Sequence, residues 1–122
     1  MANAFVHVEL NTTDVDKAKS FYGQLFDWKI ADMPMGATVY TMIDVGEGTG
    51  GGIIRHPMGG PSIWLPYMLV DDIGASTAKA KSLGGTIIRD VHEAGGMGWL
   101  SIVMDPTGAV FGLWKPKMNA PQ

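Results

Sequence analysis

The first 26 residues change from an alternating pattern of hydrophobic and polar positions to a helical one. Two polar side chains, His7 and Glu9, alternate with apolar residues between positions 5 and 10, which predicts a strand with one buried face. Thr13 or Asp14 can cap a following helix. The apolar positions after them share one helix face: Ala18, Phe21, Tyr22, Leu25 and Phe26. The pattern predicts a strand and a covering helix, with His7 and Glu9 on the strand face away from the helix.

The rest of the chain repeats this order of elements. Strands are predicted at residues 28–31, 38–45 and 51–56, and a second series consists of strands at residues 62–70, 86–91, 99–104 and 110–114 with a helix at residues 72–83. Residues 33–36, Met-Pro-Met-Gly, are expected to form a turn. A shift of 58 residues aligns Asp14 with Asp72 and Leu25 with Leu83, so the second series is a repeat of the first.

This order predicts an α+β fold in a single domain over residues 1–122. We expect two βαβββ modules that form a curved mixed β-sheet around a cavity, with the helices on the outer face. The expected divisions are module one at residues 4–57, a linker at residues 58–62, module two at residues 63–117 and a tail at residues 118–122. The linker is indicated by Pro57-Met-Gly-Gly-Pro61, because its two prolines and two glycines cannot continue either a helix or a strand.

Composition narrows the classes of partner. The net charge is −3 and there is no basic run, so neither nucleic acid nor a membrane surface is an expected partner. The sequence contains no cysteine, which excludes disulfides, thiolate metal sites and a cysteine nucleophile. The absence of cysteine is consistent with a reducing compartment, and we expect a cytoplasmic protein.

Three stretches resemble the vicinal oxygen chelate superfamily, which includes glyoxalase I, extradiol dioxygenases and bleomycin resistance proteins. They are Glu9-Leu-Asn-Thr-Thr-Asp14, residues 18–28 (Ala-Lys-Ser-Phe-Tyr, then Leu-Phe-Asp-Trp) and Asp105-Pro-Thr-Gly-Ala-Val-Phe-Gly-Leu-Trp114. The last stretch is most similar to a glyoxalase-like subgroup whose reaction is uncertain. The resemblance covers the whole chain and implies the fold predicted above, together with a homodimer.

The resemblance also implies where a metal would bind. Metal-dependent members carry one ligand on each of four strands, and these positions correspond here to His7, Ile53, Leu65 and Gly112. Only His7 has a side chain that can bind a metal, and a catalytic site needs about three protein ligands. His56 and His92 would have to supply further ligands, but both lie near strand ends or loops. We therefore expect neither a metal nor another cofactor.

His7 and Glu9 are the first candidates for a functional site. They can act as an acid–base pair, with Glu9 orienting the imidazole, or as direct contacts to a ligand. Aromatic side chains on predicted strands supply flat surfaces with a polar group, and they complete the candidate ligand site: Tyr40, Trp64, Tyr67, Trp99 and Trp114. For each of these residues the alternative is ordinary packing in a core.

The sequence therefore favours a small-molecule-binding protein that works without a metal and takes a planar hydrophobic or cationic ligand in an aromatic-lined cavity. Glu9 would supply the counter-charge for a cation. The alternative is a glyoxalase- or dioxygenase-like enzyme, a lyase, isomerase or oxygenase that uses a metal or the His7 and Glu9 pair. Whether the chain is an enzyme stays open at this point.

Overall fold

The computed structural model describes residues 3–117, which form eight strands and two helices. In chain order these are β1 (Phe5–Thr12), α1 (Val15–Leu25), β2 (Lys29–Met35), β3 (Thr38–Asp44), β4 (Gly51–Arg55), β5 (Ile63–Leu69), α2 (Ile73–Ser82), β6 (Thr86–Ala94), β7 (Gly98–Met104) and β8 (Val110–Pro116). The predicted α+β class and the two βαβββ series are confirmed. The expected tail at residues 118–122 lies outside the described residues, and the other expected boundaries stay predictions.

Two compact units make up the fold. The first consists of residues 6–66, and its strands have the order β2-β3-β4-β1. β1 and β4 are parallel, whereas β3 is antiparallel to both of its neighbours. The core of this unit is built from Leu10, Ile43 and Ile53, and α1 packs on it through partly buried residues such as Ala18 and Tyr22. One mixed sheet therefore has α1 on its apolar face.

The second unit contains residues 67–117 and the short segment 3–5. Its strands have the order β5-β8-β7-β6, with β5 and β8 parallel and the other pairs antiparallel. The core residues are Val70, Val103 and Leu113. Between α2 and β7 the buried hydroxyl oxygens of Thr77 and Ser101 lie 2.8 Å apart; Thr77 donates to the carbonyl oxygen of Ile73 and accepts from Ser101. The repeat seen in the sequence is therefore a repeat of topology.

Both helices begin at a capping aspartate. The Asp14 carboxylate accepts from the backbone N–H of Lys17 at 3.0 Å, and the Asp72 carboxylate accepts from that of Ala75 at 2.9 Å. Each bond satisfies an amide that has no partner within its helix. Neither of the two helices within residues 3–117 is long and apolar enough to cross a bilayer.

Two local expectations were wrong. The expected turn at residues 33–36 is strand instead, because β2 continues to Met35 and the turn follows at Gly36. Pro34 is tolerated there because β2 is an edge strand, where the missing backbone N–H need not pair with a second neighbour. The predicted apolar face of α1 is only partly covered, because Phe21 and Leu25 remain 58% and 56% exposed. Ala18 and Tyr22 form the side of the helix that contacts the core.

Candidate functional site

A chain of hydrogen bonds joins four polar side chains of the first unit. The amide Nδ2 of Asn11 donates to Glu9 Oε1 at 3.0 Å, and the hydroxyl of Tyr40 donates to Glu9 Oε2 at 2.7 Å. The same hydroxyl oxygen lies 2.7 Å from Nε2 of His7. Glu9, Asn11 and Tyr40 are buried, and His7 is half-buried. We call these four residues the polar network.

The positions of three network members follow from strand geometry. His7, Glu9 and Asn11 are two residues apart on β1, so their side chains share one face. Tyr40 comes from β3, which is not a neighbour of β1, because β4 lies between them. The ring of Tyr40 crosses β4 over Gly52, where a Cβ atom would overlap the phenol. A residue without a side chain on the middle strand therefore allows the contact between β3 and β1.

The hydrogen bonds indicate which ring nitrogen of His7 carries hydrogen. Because the Tyr40 hydroxyl donates to Glu9, its oxygen is the acceptor toward Nε2, and Nε2 carries hydrogen. Burial lowers the pKa of His7 below its ordinary value of 6.5, and the charge of Glu9 opposes this by raising it. Burial therefore favours the neutral imidazole of His7, and the hydrogen bond to Tyr40 favours its Nε2–H tautomer.

This arrangement can orient a ligand or balance a moving charge. An imidazole held by a buried tyrosine has a fixed ring orientation, which is what a polar contact in a small-molecule site requires. If His7 gains a proton, the Tyr40 hydroxyl connects the imidazolium to the Glu9 carboxylate. The network can therefore support acid–base chemistry as well as binding.

The predicted aromatic residues belong to both units, and each is described within its own unit. Tyr40 contacts both His7 and Glu9. Tyr67 is 5% exposed and its ring covers Gly112, the residue it pairs with across β5 and β8. Trp99 lies 5.7 Å under the ammonium of Lys117, and the ring of Trp114 closes over Gly98. The roles of Tyr67, Trp99 and Trp114 as ligand contacts stay predictions.

Trp64 belongs to an aromatic cluster that includes one tryptophan absent from the predicted set. Its ring meets those of Tyr22 and Trp28 edge to face, at centroid distances of 5.3 Å and 6.5 Å. Phe26 packs against Trp28 at 4.6 Å. Trp28 and Trp64 line a pocket of about 260 Å³, which the remaining lining residues complete: Val8, Ile43, Val45, Thr49, Gly50 and Gly51.

The residues at the four metal positions do not fit a metal ion. Ile53 and Leu65 are core residues with 1% and 2% exposure, and Gly112 has no side chain. The Nε2 atom of His7 is held by Tyr40. Across residues 3–117 no three His, Asp or Glu side chains converge as a ligand group. Hydrocarbon side chains cannot replace the missing donors.

Sequence reasoning missed two residues of these sites. Asn11 follows Glu9 at the same two-residue spacing that joins Glu9 to His7, so the strand period was the signal for it. Trp28 lies in the connection between α1 and β2, directly before β2 begins. No short-range pattern indicates that it contacts Trp64. That contact depends on the pairing of distant segments.

The fold and the polar network define a class: a small α+β protein with duplicated βαβββ modules and a site that joins a half-buried histidine to a buried tyrosine and a buried glutamate. Residues 4–46 match the family model described as bleomycin resistance protein-like N-terminal. CFP32 of Mycobacterium bovis, which is named as a glyoxylase, is 38% identical over 114 residues, or 88% of this chain and 44% of CFP32. The anthracycline biosynthesis protein DnrV of Streptomyces peucetius is 28% identical over 124 residues, or 88% of this chain and 45% of DnrV.

Among solved structures, methylmalonyl-CoA epimerase from Mycobacterium tuberculosis superposes with a TM-score of 0.70 at 14% identity, covering 93% of this chain and 88% of the epimerase. That likeness concerns the fold. This chain spans less than half the length of CFP32 and DnrV. The family-model match and the glyoxylase-named relative support the vicinal oxygen chelate superfamily that the sequence resembles, in its glyoxalase and bleomycin-resistance-like group.

Proposed function

We propose that this chain binds a small organic molecule, without a metal ion, on the face of β1 and β3 that carries His7 and Tyr40. The observation that supports this most is the hydrogen-bonded chain from Asn11 through Glu9 and Tyr40 to His7. Its three buried members hold a half-buried imidazole in one tautomer and one orientation. A site with few fixed polar groups is typical of small-molecule recognition. Three of the four metal positions have no side-chain atom that can bind a metal, which supports binding without one.

The ligand we propose is planar and mainly hydrophobic, and it can be cationic. Glu9 is 7% exposed and each of its oxygens accepts from a neighbouring side chain, so it favours a cation through its field more than through contact. A ligand that contacts the network does so at His7, the most exposed of the four residues. The matched family model is described by bleomycin resistance and one relative is named for anthracycline biosynthesis, which is consistent with planar, polycyclic or cationic molecules.

Thermal unfolding of chelator-stripped protein with two tricyclic or tetracyclic probes tests this function. Daunorubicin is planar and cationic, whereas anthraquinone-2-sulfonate is planar and anionic. A ligand at about 100 times its Kd adds about 2.7 kcal/mol to the stability of the native state, which raises the Tm by several degrees. We expect the larger shift with daunorubicin. A Tm that changes with neither probe contradicts the proposed ligand class.

Conservative tyrosine variants connect the binding to the network. Tyr40→Phe keeps the ring over Gly52 and removes the hydroxyl that holds His7, so we expect about tenfold weaker binding of daunorubicin. Tyr22→Phe removes a hydroxyl from α1, away from the network, and serves as the matched control. Equal affinities of the two variants would exclude the network from the site.

A second candidate function is proton transfer. The bridging hydroxyl of Tyr40 favours it, because the hydroxyl connects His7 to a carboxylate that balances an imidazolium charge. Methylmalonyl-CoA, named in the structural neighbours, is a suitable carbon acid as a probe. Exchange of its C2 hydrogen for deuterium in D₂O, slowed in His7→Gln and Tyr40→Phe, would favour the enzyme. Binding without exchange would favour a protein that only binds the molecule.

A further inference from the structure

The pocket beside Trp28 and Trp64 lies on the other face of β1 from the polar network. Val8 lines this pocket, and its neighbours in sequence, His7 and Glu9, point to the opposite face. The helix α1 covers Leu10 further along β1. The space over Val8 is therefore left between the end of the helix segment and the sheet. It is separate from the site proposed above.

Aromatic and aliphatic side chains form the walls of this pocket. Trp28 and Trp64 stand almost perpendicular, with an interplanar angle of 84°, so they present two flat surfaces at a corner. Thr49 has the one polar side chain in the lining. At the floor of the pocket, Gly50 lies close to the backbone of Ile43. A Cβ atom on Gly50 would lie 2.9 Å from the carbonyl oxygen of Ile43. No side chain can fill the pocket from that position.

The volume limits the size of the occupant. At about 260 Å³ the pocket is smaller than those of drug-sized ligands, which begin at about 300 Å³. An apolar cavity of about 150 Å³ accepts benzene. Trp64 is 40% exposed, so a ligand can enter from solvent without unfolding the core. The fitting molecule is flat, apolar and built of one or two fused rings.

We propose that this pocket is a second small-molecule site, which takes a planar apolar molecule of one or two fused rings between Trp28 and Trp64. Edge-to-face and offset-stacked contacts with the two indoles supply its affinity, and burial of its rings supplies the rest. The inference does not depend on the function proposed for the His7 face. Loss of one site would leave the other intact.

Nuclear magnetic resonance of the ¹⁵N-labelled chain, titrated with unlabelled indole, tests the site. The four indole N–H signals of the protein are assigned with single tryptophan-to-phenylalanine variants. We expect saturable shifts of the Trp28 and Trp64 signals, while the signals of Trp99 and Trp114 stay in place. Equal shifts of all four signals, or no saturable shift, would overturn the proposal.

Three variants make the test specific to the pocket. Trp64→Ala removes one wall, and Val45→Phe places a ring in the space, so each is expected to weaken indole binding about tenfold or more. Trp99→Ala truncates a tryptophan that packs on Lys117 outside the pocket and is expected to bind as wild type does. Signal dispersion in each spectrum reports that the variant is folded. Wild-type affinity in a folded Trp64→Ala variant would refute the site.

Discussion

Tyr40 holds the polar network together, because one hydroxyl group serves two partners. It donates to the buried carboxylate of Glu9 and accepts from His7. A buried polar group without a hydrogen bond costs free energy, so each of these two bonds contributes to the stability of the network. The sequence indicated His7 and Glu9 by their alternation on β1. It could not indicate that Tyr40 bridges them, since that depends on the spatial order of three strands.

The variant Tyr40→Phe is expected to lower the free energy of unfolding by about 1–3 kcal/mol. The phenyl ring keeps the packing over Gly52, but Glu9 and His7 each lose one hydrogen bond, the one made with the hydroxyl. Urea unfolding measures the loss. The control Tyr22→Phe should stay within about 0.5 kcal/mol of wild type. A Tyr40→Phe protein as stable as the control would mean that water replaces the hydroxyl at no cost.

His7 makes stability depend on pH in a defined direction. Burial lowers its pKa in the folded state below the 6.5 of an exposed histidine. Below pH 6.5 the unfolded chain therefore binds the proton more readily than the folded chain, and stability falls as the pH falls. The stability that wild type has over His7→Gln should be constant between about pH 7 and 8 and shrink on acidification below 6.5. An advantage that grows with acid would contradict a lowered pKa of His7.

At the scale of elements, glycines on inner strands make the contacts between aromatic rings and distant partners possible. Gly52 on β4 lies under Tyr40, and Gly112 on β8 lies under Tyr67. Neither glycine has a positive φ, so the requirement is for space and not for an unusual backbone conformation. A glycine inside a strand pattern indicates such a close approach. The sequence showed the glycines, but not which ring covers each one.

Substitution of Gly52 by alanine should destabilise the fold by about 1–3 kcal/mol, because the new methyl group overlaps the ring of Tyr40. Gly23→Ala is the matched control. It lies in α1, where the nearest atom to a new Cβ is 3.9 Å away, and it should be neutral or add up to about 1 kcal/mol. Thermal unfolding compares the two. Equal stability of both variants would show that the Tyr40 ring can move aside.

At the scale of the whole molecule, the order of elements could be predicted from the sequence, because periodicity and capping are local. Strand and helix limits differ from the prediction mainly where context decides. Pro34 continues β2 because that strand is an edge, and β6 extends to Ala94. The pocket at Trp28 and Trp64 could not be predicted, since it depends on segments 36 residues apart. A homodimer and a cytoplasmic location stay predictions.

The central claim is that this chain binds its ligand without a metal, through the network that ends at His7. Isothermal titration calorimetry tests it most directly, with daunorubicin titrated into EDTA-treated protein, into the same protein with Ni²⁺, and into His7→Ala. We predict one Kd in EDTA and in Ni²⁺, weakened about tenfold in His7→Ala. Binding that appears only with Ni²⁺ and is lost in His7→Ala would contradict the claim and would indicate a metal-dependent member of the superfamily.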